Sequence, residues 1–251
     1  MILNNQIHFS IQGKGGIGKS AVAALLSQYI KQQNADAVVI DTDPVNSTLS
    51  GFSALNPIYI KTMEEKDGEI IINPEKFDLL IQKLSENESP AILDVGASNY
   101  VTMKNYLLSN GIFDILAEEG KELYFHVPIA GGQAFIPCIQ ELAEIAKFPN
   151  AKIVIWANYF FGDLSNEDGK DYTESKPFKD AKKSIVGIVT LEKKAMHSKD
   201  LNNLFSDNLT FDEAALISNN PTRYGIVNKS RLKTVKAAIW QQLDNIFSSV
   251  E

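Results

Sequence analysis

The feature that most constrains this chain is an eight-residue run near its start, Gly13-Lys14-Gly15-Gly16-Ile17-Gly18-Lys19-Ser20. It fits the pattern G-x-x-x-x-G-K-[ST], and its flanks fit as well. Residues 7–11 (Ile-His-Phe-Ser-Ile) read as a strand, and residues 21–30, rich in Ala and Leu, read as a helix. Glycines let the backbone curl so that its N–H groups point inward, and the helix N-terminus adds partial positive charge. The pattern predicts a phosphate cradle built from Gly13, Lys14, Gly15, Gly16, Ile17, Gly18, Lys19, Ser20 and Ala21. In such a cradle Lys19 reaches the β- and γ-phosphates and Ser20 ligates Mg²⁺.

A strand–loop–helix unit of this kind needs a sheet to sit on. Short apolar runs recur at 37–40, 91–93, 123–127, 153–156 and 185–189. They are continuous rather than alternating, so both faces of the sheet should be buried, as in a parallel sheet covered by helices. Helical patterns at 18–33, 74–86, 100–109, 133–146 and 229–248 lie between and after them. This rhythm predicts an α/β fold: one P-loop domain over 1–251, a mostly parallel sheet with helices on both faces. Residues 58–60 and 70–72 are expected to pair as an edge hairpin, and the polar stretch 161–183 to form an exposed insertion.

Two further apolar runs end in carboxylates. Asp41 and Asp43 close the first, and their alternation along an extended chain allows both to face one side. Two carboxylates beside a bound Mg-nucleotide are useful: one can support the metal's water shell while the other orients an attacking water. Asp94 closes the second run and is the expected Mg²⁺ partner through water, with Gly96 two residues on allowing close backbone approach to the γ-phosphate.

Taken together, the Lys-Gly-Gly-x-Gly-Lys-Ser loop, Asp-Thr-Asp-Pro-Val-Asn-Ser-Thr at 41–48 and Leu-Asp-Val-Gly-Ala-Ser at 93–98 resemble the ParA/MinD superfamily of deviant Walker A ATPases. Asp-Pro-Val-Asn at 43–46, Asn-Pro-Glu-Lys-Phe-Asp at 73–78 and Gly-Gly-Gln-Ala at 131–134 are most similar to its TraL-like and StbB-like members from plasmid conjugation. The resemblance covers most of residues 6–160. It implies slow Mg-dependent ATP hydrolysis and an ATP-dependent homodimer with nucleotide between the subunits. In it Lys14 is the lysine that crosses to the partner's nucleotide, Lys19 and Asp43 are the other catalytic groups, Asp43 positioning the lytic water with Asp41 beside the metal, Asp94 matches the Walker B residue, and Asn158 contacts adenine. It also implies a partner in the plasmid transfer or partition machinery. The proline-marked base-binding loop of many members is missing after 186–191. A metabolic ligase or kinase, or a nucleotide-binding module that does not hydrolyse, would use the same loop.

Charge and composition remove several other classes. The formal net charge is −7, all of it in residues 1–125, so a generally basic nucleic-acid binder is excluded. A local patch is not, since residues 176–199 hold seven lysines against Asp180 and Glu192, and ParA-like proteins bind DNA through such residues. A single cysteine, Cys138, excludes a disulfide framework within the chain. His8, His126 and His197 have no ligand spacing and are expected in the core or on the surface. No apolar run approaches the roughly 18 residues of a membrane span, and the expectation is a soluble cytoplasmic protein. The apolar stripe Leu232, Val235, Ile239, Leu243, Ile246 and Val250 is expected to pack on the sheet rather than on a membrane.

Overall fold

The six apolar runs become six strands, and a seventh joins them at one edge. In the computed structural model, which describes residues 3–43, 47–66 and 68–248, the chain runs β1 (Gln6–Ser10), α1 (Lys19–Gln33), β2 (Val38–Asp41), β3 (Ile58–Tyr59), β4 (Met63–Lys66), β5 (Glu69–Ile72), α2 (Pro74–Glu86) and β6 (Ala91–Asp94). It continues with α3 (Ala97–Ser109), α4 (Ile112–Glu118), β7 (Glu122–Ala130), α5 (Phe135–Ile145), β8 (Lys152–Asn158), α6 (Lys176–Ala181), β9 (Ile185–Leu191), α7 (Ala195–Ser206), α8 (Phe211–Leu216), α9 (Pro221–Tyr224) and α10 (Ile226–Phe247). The main sheet has the order β3-β2-β6-β1-β7-β8-β9 and is parallel throughout.

The period of two along each strand divides the core. Ile7, Phe9, Phe125, Ile153 and Ile155 face one layer, formed by α2 to α6. Tyr124, Val154, Trp156 and Val189 face the other, formed by α1, α7, α8 and α10. Residues 22–30 of α1 are all buried, because the sheet lies beneath this helix and α8 and α10 lie over it. Such all-round burial matches its Ala- and Leu-rich sequence.

One local expectation needs correction. The hairpin does form, but its strands are β4 and β5, paired Met63↔Ile72 through Lys66↔Glu69. Residues 58–59 instead pair parallel with β2, Ile40↔Ile58 and Asp41↔Tyr59, as the edge of the main sheet. Asp67-Gly68 is a favoured two-residue hairpin connection, which selects the nearer partner for 69–72. The stretch 161–183 is the crossover from β8 to β9 and is mostly exposed, with buried Leu164, Tyr172 and Ala181 anchoring it and α6 closing it, whose N-cap Ser175 accepts from Phe178 N–H.

The C-terminal stripe packs as expected: Leu232, Ile239, Leu243 and Ile246 are buried against the sheet, and Ile246 fills the space left by Gly187. Val250 lies outside the described residues, as do 44–46 of the Asp-Pro-Val-Asn stretch. Among the described residues no helix is long and apolar enough to cross a membrane.

Candidate functional site

The site forms where the order of strands reverses around β1, beyond the carboxyl ends of β1, β2 and β6, the usual ligand crevice of open α/β sheets. The loop between β1 and α1 is shaped by left-handed glycines, Gly16 at φ 75° and Gly18 at φ 100°. Its neighbours also press on it. A methyl group at Gly13 would come within 3.2 Å of the Tyr100 ring, and one at Gly18 within 3.1 Å of the Asn158 amide. Among the described residues the backbone N–H groups of 14–18 have no protein acceptor. A turn of unpaired donors ahead of a helix N-terminus is an anion-binding concavity.

Lys19 is almost buried and folds back over the loop, its Nζ donating to the Lys14 carbonyl at 3.0 Å. Burial lowers its pKa, while the Asp94 and Asp43 carboxylates pull it back up. Ser10 of β1 anchors the same residue by donating its hydroxyl to the Lys19 carbonyl at 2.8 Å. A cavity of about 500 Å³ opens above the loop, lined among others by Lys19, Ser20, Ala21, Asp43, Thr48 and Phe161.

Asp94 carries the strongest electrostatic signal. It is buried, and neither carboxylate oxygen has a hydrogen-bond partner among the described residues. Burial pushes its pKa up to about 7; Asp41 and Asp43 add to the rise, and the nearby Ser20 hydroxyl and Lys19 counter it. Ser20 thus favours the ionised form without completing a hydrogen bond. A buried carboxylate with no partner, beside a hydroxyl at the mouth of an anion loop, fits a hydrated Mg²⁺ that shares its ligands with phosphate oxygens. Among the described residues no cluster of three or more His, Cys, Asp or Glu side chains forms a metal cage, so phosphate would have to complete the shell.

The other expected residues separate into two groups. Asp43 lines the cavity, and its carboxylate packs so closely on Gly96 that a Cβ there would lie 2.5 Å from its Cγ. Gly96 is therefore needed for the room it leaves Asp43, since its own φ is ordinary. Lys14, Gly15 and Gly16 belong to the loop wall, and Ile17 is a buried anchor. Asp41, by contrast, is fully buried with both oxygens engaged. One accepts from Asp43 N–H at 3.0 Å, the other from the Ser50 N–H and hydroxyl at 2.9 and 2.8 Å. Its carboxylate organises the loop after β2. Asn158 also sits behind the loop rather than in the cavity. Its amide donates to the Ile17 carbonyl at 3.0 Å and accepts from Phe160 N–H at 3.2 Å.

Sequence reasoning missed the supports. Gln12 accepts from Gly13 N–H and donates to the Cys138 carbonyl, tying the loop to α5. Thr42 donates its hydroxyl to the Asp94 carbonyl, and Asn99 donates to the Thr42 carbonyl, locking the ends of β2 and β6 together. Tyr100 behind Gly13 donates to Glu141, which also pairs with Lys104. These contacts join residues far apart in sequence, and no motif spacing announces them. The seven lysines of 176–199 are all exposed but do not form one patch. They divide between the two ends of β9, which at seven residues spans roughly 23 Å.

A parallel sheet with a glycine loop, a following helix, a buried lysine and an orphaned strand-end carboxylate defines a P-loop nucleotide-binding protein. The model of the CobQ/CobB/MinD/ParA nucleotide binding domain matches residues 9–245, and this chain belongs to that family. It is similar to a protein TraL of Escherichia coli, 35% identical over 243 residues, 95% of this chain and 97% of that protein. A second protein TraL of the same organism is 35% identical over 244 residues, 96% and 98% of the two chains. Among solved structures, MinD cell division protein of Aquifex aeolicus aligns at 13% identity and TM-score 0.48, over 92% of this chain and 97% of that one. pNOB8 ParA bound to nonspecific DNA aligns at 15% identity and TM-score 0.45, over 98% and 99%. Family membership rests on the sequence matches, not on these distant structures.

Proposed function

We propose that this chain binds Mg·ATP in the loop cavity and hydrolyses it slowly, as a switch that pairs two copies around nucleotide. The observation that carries this reading is the partnerless Asp94 carboxylate set beside Lys19 and Ser20 under a loop of unpaired N–H groups. Lys19 would leave the Lys14 carbonyl for the β- and γ-phosphates, a stronger acceptor for an ammonium. Ser20 directly, and Asp94 through water, would hold Mg²⁺, which when bound offsets phosphate charge. Asp43, held in place by Gly96, orients a water in line with the γ-phosphorus. The new P–O bond forms to that water's oxygen as the bond to the β–γ bridging oxygen breaks, giving ADP and phosphate with the water's proton released. Asp41 supports Asp43 through its backbone N–H, and Asn158 braces the loop at Ile17. Adenine contact by Asn158 would require its amide to turn away from Ile17.

Lys14 has no role in loop geometry that its neighbours do not already fill, and we assign it to the nucleotide of the second copy. The similarity to TraL supports a role beside plasmid transfer or partition proteins in the cytoplasm. DNA contact through the lysines of 176–199 would involve two separated groups rather than one patch. The test is phosphate release from ATP by the purified chain. Mg-dependent release without an acceptor supports the switch. Release only with an added acceptor indicates a ligase or kinase, and intact bound ATP indicates a module that does not hydrolyse.

A further inference from the structure

The basic first turns of α10 stand apart from the nucleotide site, and the structure shows what they surround. Between α8 and the amino-terminal half of α10 lies a cavity of about 500 Å³ with Phe211, Leu232 and Ala215 on its walls. Its mouth is open, with exposed apolar side chains nearby. Ile226 is 87% exposed, Leu216 next to Ala215 is 84% exposed, and Val227 beside Ile226 is 58% exposed. Single exposed aliphatic residues are ordinary, but Ile226 lines the cavity and Leu216 and Val227 adjoin its lining residues in the chain, and such a grouping marks an interaction surface.

The rim is cationic. Lys229, Lys233 and Lys236 line the cavity against one acid, Asp212. Lys236 pairs with Asp212 at 2.7 Å, and Lys229 donates to the Ala215 carbonyl at 2.7 Å. Lys233 has no protein partner among the described residues. The walls are braced: Phe211 N–H donates to Gln28 of α1 at 2.8 Å, and the Phe211 ring meets Trp240 edge-on. The groove is therefore formed before anything enters it.

We propose that this groove docks an acidic peptide segment of a partner protein, with one bulky apolar side chain seated between Phe211 and Leu232. The lysine rim complements carboxylates flanking that side chain, and the exposed Leu216 and Ile226 cover its sides, the helix-in-groove mode of recognition. A concave cavity favours a protruding side chain over a flat bilayer, which argues for a peptide rather than an anionic lipid surface.

The experiment is selection of a displayed random-peptide library on the full chain, followed by fluorescence anisotropy with the enriched sequence made synthetically. The expected peptides carry Asp or Glu around a Leu, Phe or Trp. Lys233→Glu should weaken their binding about tenfold. Leu216→Ser combined with Ile226→Ser should weaken it by about tenfold or more. All three positions are exposed, so thermal melting and ATP affinity should match the wild type. Failure to enrich any peptide, enrichment of peptides without acids, or binding unchanged in these variants would overturn the proposal. So would sedimentation with phosphatidylglycerol vesicles that the same variants abolish while the acidic peptide fails to bind, since that result assigns the surface to lipid.

Discussion

At the residue scale, Asp94 and Asp43 divide the work by environment. Asp94 is buried without a partner, and its pKa is raised from 3.8 to about 7. A raised carboxylate pKa means that folding is favoured with the proton on. That stability is lost as pH rises through the folded value, so the ionised Asp94 opposes folding at pH 8. Asp94→Asn should therefore raise the melting temperature of the protein alone at pH 8 by a few degrees, and by less at pH 5. It should also remove the gain in ATP affinity that Mg²⁺ gives. Thermal melts at both pH values and ATP titrations with and without Mg²⁺ check this, and an unchanged melt at pH 8 would contradict the burial cost. Asp43 should act on the water alone. Asp43→Ala is expected to slow phosphate release by at least about a hundredfold while ATP stays bound. Gly96→Ala should have the same effect at one residue's remove, because its Cβ would displace the Asp43 carboxylate. If either variant loses binding and turnover equally, Asp43 is structural.

At the element scale, three adjacent strands carry a buried polar chain. Trp156 of β8 donates its N–H to His126 Nδ1 of β7 at 2.9 Å, and His126 Nε2 lies 3.0 Å from His8 Nδ1 of β1. Tryptophan can only donate, so His126 accepts at Nδ1 and donates from Nε2, and both rings are neutral. Burial lowers the His8 pKa to about 3 and lowers that of His126, with His8 adding to the effect. Below pH 6.5 the unfolded chain takes up protons that the folded chain refuses, so stability falls as pH drops from 6.5 toward 3. Asp94 works the other way by one proton over part of that range. Urea unfolding from pH 7 to 4 should show declining stability, with a slope shallower by about one proton in His8→Leu; an identical slope would contradict the assignment. This chain also shows where the sequence stopped being legible. The continuous apolar strands revealed a sheet buried on both faces, and the glycine motif revealed a turn of unpaired N–H groups ahead of α1. The scattered histidines read as core or surface residues, and two of them, His8 and His126, are in the core. Their bond to each other depends on the β1–β7 register, His8 opposite Tyr124 and Ser10 opposite His126, which spacing does not encode. The 58–60 run failed for a related reason: a short apolar segment is compatible with a hairpin or a parallel edge, and tertiary pairing decides.

At the scale of the whole molecule, the sheet order places the groups proposed to face phosphate at one end. The second candidate surface, the α8–α10 groove, lies on the α1 side of the sheet, so nucleotide and partner need not compete for the same atoms. Pairing of two copies belongs to this scale. Lys14→Ala should still bind ATP but fail to dimerise and fail to release phosphate, because facing nucleotides repel unless each partner's lysine offsets their charge in a poorly hydrated interface. Light scattering with Mg·ATP reads this; a variant that pairs as readily as the wild type would defeat the cross-subunit role. The proposed nucleotide switch depends on the loop holding nucleotide through Lys19. Calorimetric titration of ATP with Mg²⁺ present tests that most directly, comparing the wild type with Lys19→Ala. The account predicts saturable binding by the wild type, and binding weakened about a hundredfold or lost in the variant while its melting temperature is kept. Equal affinity in the two proteins, or no binding by the wild type, would contradict it.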